Sequence, residues 1–252
     1  MGSGNRMLER VAVIDVGVTV LGDVSQFWDN ASTVSPMLIA EFASSPLRIA
    51  DHETVDAPQA ADLTKISAPL NSTLTGELDG AQWYLGLTGE EILLAALGLA
   101  IARTIGEGVV PVDVAGHSGS VPLSCTSAGL ATATEALGAV HRHLSAGSTA
   151  PKLAAQPPSE IFYSYLGTEP GLRHPLELRA YRADGLVQLD WWYDTRRVEQ
   201  ETAQSLVRQY PVMLTDLIHE AIAASRGDDG DDEVDETLAL VDLSLAEIGD
   251  FQ

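Results

Sequence analysis

His117 is the side chain whose neighbours best equip it for chemistry, in the run Ala115-Gly116-His117-Ser118-Gly119-Ser120 that closes the apolar stretch Val109 to Val114. An imidazole titrates near neutral pH and can take or give a proton at a reacting centre. The bland alternative is a histidine that caps backbone groups at the end of a buried strand. The same run comes close to a second chemistry, because a serine nucleophile elbow reads Gly-x-Ser-x-Gly on a strand-to-helix turn. Ser120 stands where the second glycine should be, and Val121-Pro122 follow where the helix should start, so Ser118 is the weaker candidate. Cys125 is the only cysteine, which excludes an intrachain disulfide and a cysteine-based zinc cluster. His141 and His143 lie two apart on an expected helix, do not share a face and are expected towards solvent, which argues against a metal pair.

These residues need a frame, and the sequence outlines one. Thr88-Gly89-Glu90-Glu91 is a capping box that opens a helix over Gly89 to Ile105, apolar nearly all round and therefore expected to be buried against a sheet. Val109 to Ala115 reads as a strand leading to His117. Leu130 to Leu144 has helical spacing, with Leu130, Ala133, Leu137, Val140 and Leu144 on one side. Glu160 to Leu166, Glu177 to Ala183 and Leu186 to Tyr193 read as three strands, the last two joined by the turn pair Asp184-Gly185. Glu199 to Ala224 is a long amphipathic helix that Pro211 should kink. Lys65 to Leu78 reads as a strand or strand pair, with Asp79-Gly80 as its turn. Before it come a strand over Val11 to Leu21, a short helix after Ser35-Pro36, and a loop or linker from Ser44 to Ala61.

Several of these stretches resemble one family. Tyr163-Ser164-Tyr165-Leu166-Gly167 resembles the "FNYLG" strand of condensation and epimerization domains of non-ribosomal peptide synthetases. His174-Pro175-Leu176-Glu177, the Asp184-Gly185 hairpin and Trp192-Tyr193 follow in that family's order. Glu91-Ile92-Leu93-Leu94-Ala95-Ala96-Leu97 resembles its "dvLLaAL" helix, and Val112 to His117 sits where epimerization domains have "vdlEGHGR". The long last helix and Leu243 to Ile248 look like its final helix and tail. The resemblance covers roughly Leu63 to Ile248, the second half of the family's domain. It implies an α/β fold, a chloramphenicol-acetyltransferase-like half domain with a mixed sheet and helices mainly on one face. The other half of such domains completes a V-shaped cleft for substrates carried on a phosphopantetheinyl carrier protein, and no cofactor is implied in the chain itself.

The departures from the family pattern shape the functional expectation. Ala115 occupies the place of the glutamate understood to help move the α-proton, and a methyl group exchanges no proton. Gly119 replaces an arginine and Ser164 an asparagine. The "TVGWFT" segment is absent, the chain passing from Ser120 to an abbreviated helix. The double-histidine motif belongs to the missing first half. His52-Glu53-Thr54-Val55-Asp56-Ala57 superficially matches the HxxxDG of acyltransferases but lacks the second histidine and the glycine, so an exposed loop histidine is the expectation. The candidate site is accordingly His117, lined by Ser118, Ser164 and Tyr165. The aromatic group Trp191, Trp192, Tyr193, Tyr163 and Tyr165 reads as core and sheet surface rather than a ligand cage.

Composition bounds the rest. With 36 acidic and 14 basic residues the formal charge is −22, which argues against nucleic acid and anionic membranes as partners, since both need a basic patch. Seven of the nine residues from Asp228 to Glu236 are acidic, the pattern of a solvated tether and not of a calcium loop. No apolar run is long enough to cross a bilayer, and the first residues lack the apolar core of a signal peptide, so a cytoplasmic protein is expected. The expected organisation is an N-terminal strand, short helix and linker over 1–62, the family-like unit over 63–225, and an acidic tether and tail over 226–252. The leading functional expectation is a catalytically degenerate module that acts as an interaction or scaffold element in (lipo)peptide assembly. Its partners would be synthetase modules, a carrier protein or a complementary half domain, with self-association also open. The alternative is an acyltransferase or condensation subunit completed by a partner or a second copy.

Overall fold

The computed structural model describes residues 46–54, 56, 58–127, 129–145, 158–165 and 172–228. The strand expected over Val11 to Leu21, the short helix after Ser35-Pro36, the acidic run beyond Asp228 and the Leu243 to Ile248 tail lie outside them. Six strands form one mixed sheet: β1 (Leu63–Ser67), β2 (Gly108–Val114), β3 (Ser120–Cys125), β4 (Ile161–Tyr165), β5 (Leu176–Ala183) and β6 (Leu186–Asp194). Their order across the sheet is β1-β6-β5-β4-β2-β3. The central trio β2, β4 and β5 is parallel, and the remaining pairings are antiparallel. The helices are α1 (Ser72–Leu85), α2 (Gly89–Thr104), α3 (Ala133–Ser145) and α4 (Gln200–Asp228). Both the sheet type and the half-domain architecture match the sequence expectation.

Local chemistry explains most of these elements. Thr88 Oγ1 accepts the Glu91 amide at 3.3 Å while Glu91 Oε2 accepts the Thr88 amide at 2.6 Å, so the capping box that opens α2 is complete. The β5–β6 hairpin turns on Asp184 (φ 52°) and Gly185 (φ 76°), the two positive values that a tight primed turn requires. α2 is buried along nearly all its length, and α4 covers it, the Tyr210 hydroxyl donating to the Leu93 carbonyl at 2.8 Å. The Tyr210 ring also meets Trp191 of β6 edge-on, 5.3 Å between centroids. α4 continues as one element through Pro211, whose missing N–H leaves the Val207 carbonyl without its helical donor.

Two sequence expectations fail here, each for a physical reason. The strand or strand pair expected over Lys65 to Leu78 is the short β1 followed by α1, and Asp79-Gly80 lies inside that helix rather than in a turn. Asn71 caps α1 by accepting the Leu74 amide at 2.8 Å, and Leu74, Leu78, Ala81 and Leu85 bury one helical stripe. Gly76 and Gly80 have open space where a Cβ would be, so each costs only its intrinsic propensity, about 1 kcal/mol. The abbreviated helix expected after Ser120 is instead β3. Its Pro122 faces Pro111 of β2, and β4 pairs with β2 only from Val112 onward. Two prolines that argue against strands on paper thus sit where neither is asked to donate in a regular ladder.

Gly98 of α2 is a point of close approach between the helix layer and the sheet. A Cβ there would lie 2.6 Å from the Ser124 carbonyl oxygen and 3.3 Å from Leu123. Because the obstacle is backbone, Gly98→Ala must push α2 off β3. We expect a loss of about 1–3 kcal/mol despite the better helix propensity of alanine, read as a lower urea midpoint. An unchanged or raised midpoint would show that the layers can yield at this point.

Residues 46–52 are pinned to this unit. The Leu47 amide donates to Val109 O at 3.0 Å, the Asp51 and His52 amides donate to Arg197 O, and Ile49 is buried. Glu160 Oε2 accepts the Ile49 amide at 2.6 Å and that of Ala50 at 3.1 Å, tying the segment to the start of β4.

Candidate functional site

β2 delivers the candidate histidine. Its last residue is Val114, after which the chain turns sharply through Gly116 (φ 82°) and Gly119 (φ 97°), with the His117 amide donating to Val114 O at 3.1 Å. No atom lies within 4 Å of where a Cβ would be on either glycine, so the turn faces open space. Among the described residues the His117 ring makes no hydrogen bond to the backbone. Its Nε2 faces Glu90 Oε2 across 3.9 Å, with 29% of the histidine and 23% of the glutamate side chain exposed.

Glu90 comes from the first turn of α2 and is held by β4. The Tyr163 hydroxyl, fully buried, donates to the Glu90 carbonyl at 3.4 Å. Burial pushes that phenol well above its ordinary range, so it stays a donor. At the preceding residue a Cβ on Gly89 would lie 2.6 Å from the Tyr165 hydroxyl and 3.0 Å from Gln82 Oε1, so β4, α1 and α2 converge here and a larger residue would have to displace those side-chain ends. The Glu90 carboxyl lies above the usual carboxylate value, chiefly through burial; His117 opposes that shift and neighbouring Glu91 adds to it. A carboxyl and an imidazole that face each other at a partly open edge form an acid–base pair in chemical capability.

The other sequence candidates are placed as follows. Ser118 is exposed in the turn, and Ser120 opens a strand, so no helix N-terminus stands behind it and no nucleophile elbow forms. Tyr165 shares the edge with Glu90 and His117 through Gly89. Ser164 alternates to the opposite face of β4, is 0% exposed, and its hydroxyl has no hydrogen-bond partner among the described residues. His52 is exposed and sits 3.4 Å from Glu199, not beside Asp56. His141 is not turned to solvent: its Nδ1 lies 2.7 Å from Glu91 Oε1, locking α3 onto the capping carboxylate of α2. Burial pushes the Cys125 thiol up to about 12, which keeps it unreactive at neutral pH. Among the described residues no group of three or more His, Cys, Asp and Glu side chains could hold a metal ion, and no single helix is long and apolar enough to cross a membrane.

A second polar cluster lies on the opposite face of the sheet. His174 Nε2 is 2.9 Å from Asp113 Oδ2, its Nδ1 is 3.5 Å from Glu177 Oε1, and its ring stacks on Phe162 with centroids 5.6 Å apart. Ser120 Oγ donates to Asp113 Oδ1 at 2.6 Å. Serine and histidine both bind the aspartate and do not meet each other, so the cluster is no catalytic triad but a clasp between β2 and β5 across β4. Nothing in the sequence pattern marked Asp113 or Glu177 as its members.

No family model matches the chain. It is 32% identical over 289 aligned positions to a phenolphthiocerol/phthiocerol polyketide synthase subunit of Mycobacterium tuberculosis (strain ATCC 25618 / H37Rv), an alignment that covers 90% of this chain and 19% of the relative. The same values hold for the corresponding subunit from Mycobacterium bovis (strain ATCC BAA-935 / AF2122/97). The chain thus spans about a fifth of the curated relatives it matches. Among solved structures it is similar to the epimerization domain from the third module of tyrocidine synthetase B, with a TM-score of 0.53 and 20% identity over 79% of this chain and 55% of that one. It is also similar to the chain in a complex of the X-domain and OxyB from teicoplanin biosynthesis (TM-score 0.53, 13% identity, 79% and 52% covered). A third is the condensation domain that mediates chain release from the enacyloxin polyketide synthase (TM-score 0.51, 14% identity, 78% and 50% covered).

Proposed function

We propose that this chain, which carries the fold of the C-terminal half of a condensation/epimerization domain, is an interaction or scaffold module of polyketide or peptide assembly that completes no acyl transfer by itself. One observation carries the reading: β2 runs into Ala115, with a methyl group where epimerization domains have the glutamate, and among the described residues the His117 ring behind it makes only the 3.9 Å approach to Glu90. A methyl group can neither take nor give a proton, so β2 ends without the carboxyl that the α-proton chemistry of epimerization domains uses. The chain also covers only about half of the epimerization domain it resembles. The module would act in the cytoplasm, beside a carrier protein or other synthetase modules, as one wall of a cleft for carrier-bound acyl groups.

The test is a transfer assay with the purified chain, an acyl-carrier-protein thioester and an amine acceptor. We expect no amide product. His117→Ala should barely move the melting temperature, because a part-exposed ring with only a loose ionic contact contributes less than about 1 kcal/mol. Product formation by the chain alone, lost in His117→Ala at unchanged melting temperature, would overturn the reading. The partly open His117–Glu90 edge favours one second reading, a transferase completed by a partner or a second copy. Size-exclusion chromatography with light scattering separates the two, since a completed cleft requires a stable dimer or heteromer.

A further inference from the structure

The last turns of α4 face α1 across an apolar groove that has no part in the His117 edge. It encloses about 440 Å³ and is lined by Gly80 and Ala81 of α1 and by Ile218, Ile222, Ala223 and Arg226 of α4. Beside it on α1, Trp83 is 79% exposed, the most exposed large apolar side chain among the described residues. Glu77, also on the groove, faces His219 across 3.9 Å. Arg226 lies over the Tyr84 ring, 5.6 Å from its centroid, and has no carboxylate partner among the described residues. The groove therefore combines an apolar floor with an unmatched cation at the end of α4.

We propose that residues 237–248 of this same chain dock in the groove as a helix. Residues 229–252 lie outside the described part of the chain, but their sequence matches the groove in periodicity, charge and reach. At 3.6 residues per turn, Leu238, Val241, Leu245 and Ile248 fall within an arc of about 80°, one apolar stripe. Asp235-Glu236 precede it and Gly249 follows it, the residue types that start and stop helices. Every charged residue from 229 to 252 is acidic. Arg226 is the cation that such a segment meets on arrival, and Asp242, next to Leu238 on the helical wheel, is its partner.

The lengths agree as well. From Leu238 to Ile248 a helix rises about 15 Å, and from Ile218 to Arg226 α4 rises about 12 Å. The eight residues from 229 to 236 can extend over about 26 Å, so the chain can turn back along α4. A helix this short is marginal in water by itself and orders only against a surface. A short tether holds it beside its own groove at an effective concentration of about millimolar, which favours this copy over a second one in solution. The groove is separate from the His117 edge, so neither success nor failure of the docking bears on the transfer reading.

The experiment is hydrogen–deuterium exchange of the full chain, read by mass spectrometry. Amides of residues 238–248 should exchange about 10-fold or more slowly than in Leu245→Asp, which puts a charge in the middle of the stripe. Gly80→Glu tests the groove itself. A Cβ at Gly80 meets nothing within 4 Å, and glutamate is the better helix former, so α1 stays folded while a carboxylate enters the groove and repels the acidic segment. It should release residues 238–248 as Leu245→Asp does and leave the amides of β6 protected. Arg226→Glu, a change on an exposed side chain, should weaken the protection in the same direction. Residues 238–248 that exchange at free-peptide rates in the parent, or that stay protected in both Gly80→Glu and Arg226→Glu, overturn the docking. Protection that fades on dilution assigns the groove to the segment of a second copy and overturns the intramolecular site.

Discussion

Trp191→Ala is expected to lower the unfolding free energy by about 3–5 kcal/mol. The indole is 0% exposed and stands in the middle of β6, in register with Leu178 of β5 on one side and Ile66 of β1 on the other. It meets the Tyr210 ring edge-on, and Tyr210 is itself hydrogen-bonded to α2. One side chain therefore joins the sheet, α4 and α2. Truncation removes a large apolar surface and leaves a cavity that three rigid elements cannot all close, so transfer and cavity costs add. Urea unfolding at constant m-value would read the loss directly. A change below about 1.5 kcal/mol would mean that α4 collapses onto the gap, which its anchoring through Tyr210 should prevent.

Glu177→Ala should cost about 3 kcal/mol, because it strips a buried clasp of its central acceptor. Glu177 is 1% exposed; its Oε1 accepts the Arg173 amide at 2.8 Å and that of His174 at 3.4 Å, and the His174 ring lies 3.5 Å away. The cluster also sets the pH dependence. Burial would push the Glu177 carboxyl up, but the His174 ring and the Arg173, His174 and Leu172 amides outweigh it and hold the carboxyl below its ordinary value. Asp194 is lowered likewise, burial again being outweighed, here by Arg196. Such carboxylates contribute stability that is present above about pH 4–4.5 and lost as pH falls through their depressed values. His174 runs the other way: burial would lower it, yet Glu177 and Asp113 raise it above its ordinary value. Its contribution is full below about pH 6.5 and lost as pH rises through the raised value. Both contributions coexist between roughly pH 4.5 and 6.5, so stability should peak there. His174→Asn should flatten the alkaline decline and also weaken the acid one, because the ring is part of what lowers Glu177, leaving the share of Asp194 in place. A parent protein whose urea midpoint climbs from pH 6 to 8 would contradict this account.

The elements that the sequence specified are those whose causes are local. The Thr88–Glu91 box, the Asp184-Gly185 turn and the helical stripe of α4 each lie within a few residues of the structure they create, as does the apolar run that buries α2. α1 and β3 escaped because their local signals point the wrong way. Glycines and an Asp-Gly pair read as a turn until the buried stripe of Leu74, Leu78, Ala81 and Leu85 outweighs them, and prolines read as breaks until they are paired with each other.

The candidate site divides along the same line. His117 is legible, because a histidine at the end of an apolar strand between glycines is a pattern of adjacent residues. Glu90 is not, because nothing near it in sequence shows that α2 will lie with its first turn over the end of β2. Nor does sequence separate Ser164 from Tyr165; strand alternation assigns them to opposite faces, but only the stacked helix layer decides which face carries the histidine edge. By itself the sequence determined β2, β4, β5 and β6, the cap of α2, the half-domain resemblance and the methyl side chain at Ala115. The tertiary structure decided which carboxylate meets which imidazole, Glu90 with His117, Glu91 with His141, and Asp113 and Glu177 with His174. Apart from the neighbours His174 and Glu177, those pairings join elements far apart in the chain, and they are set by how layers pack rather than by any local preference of the residues that meet.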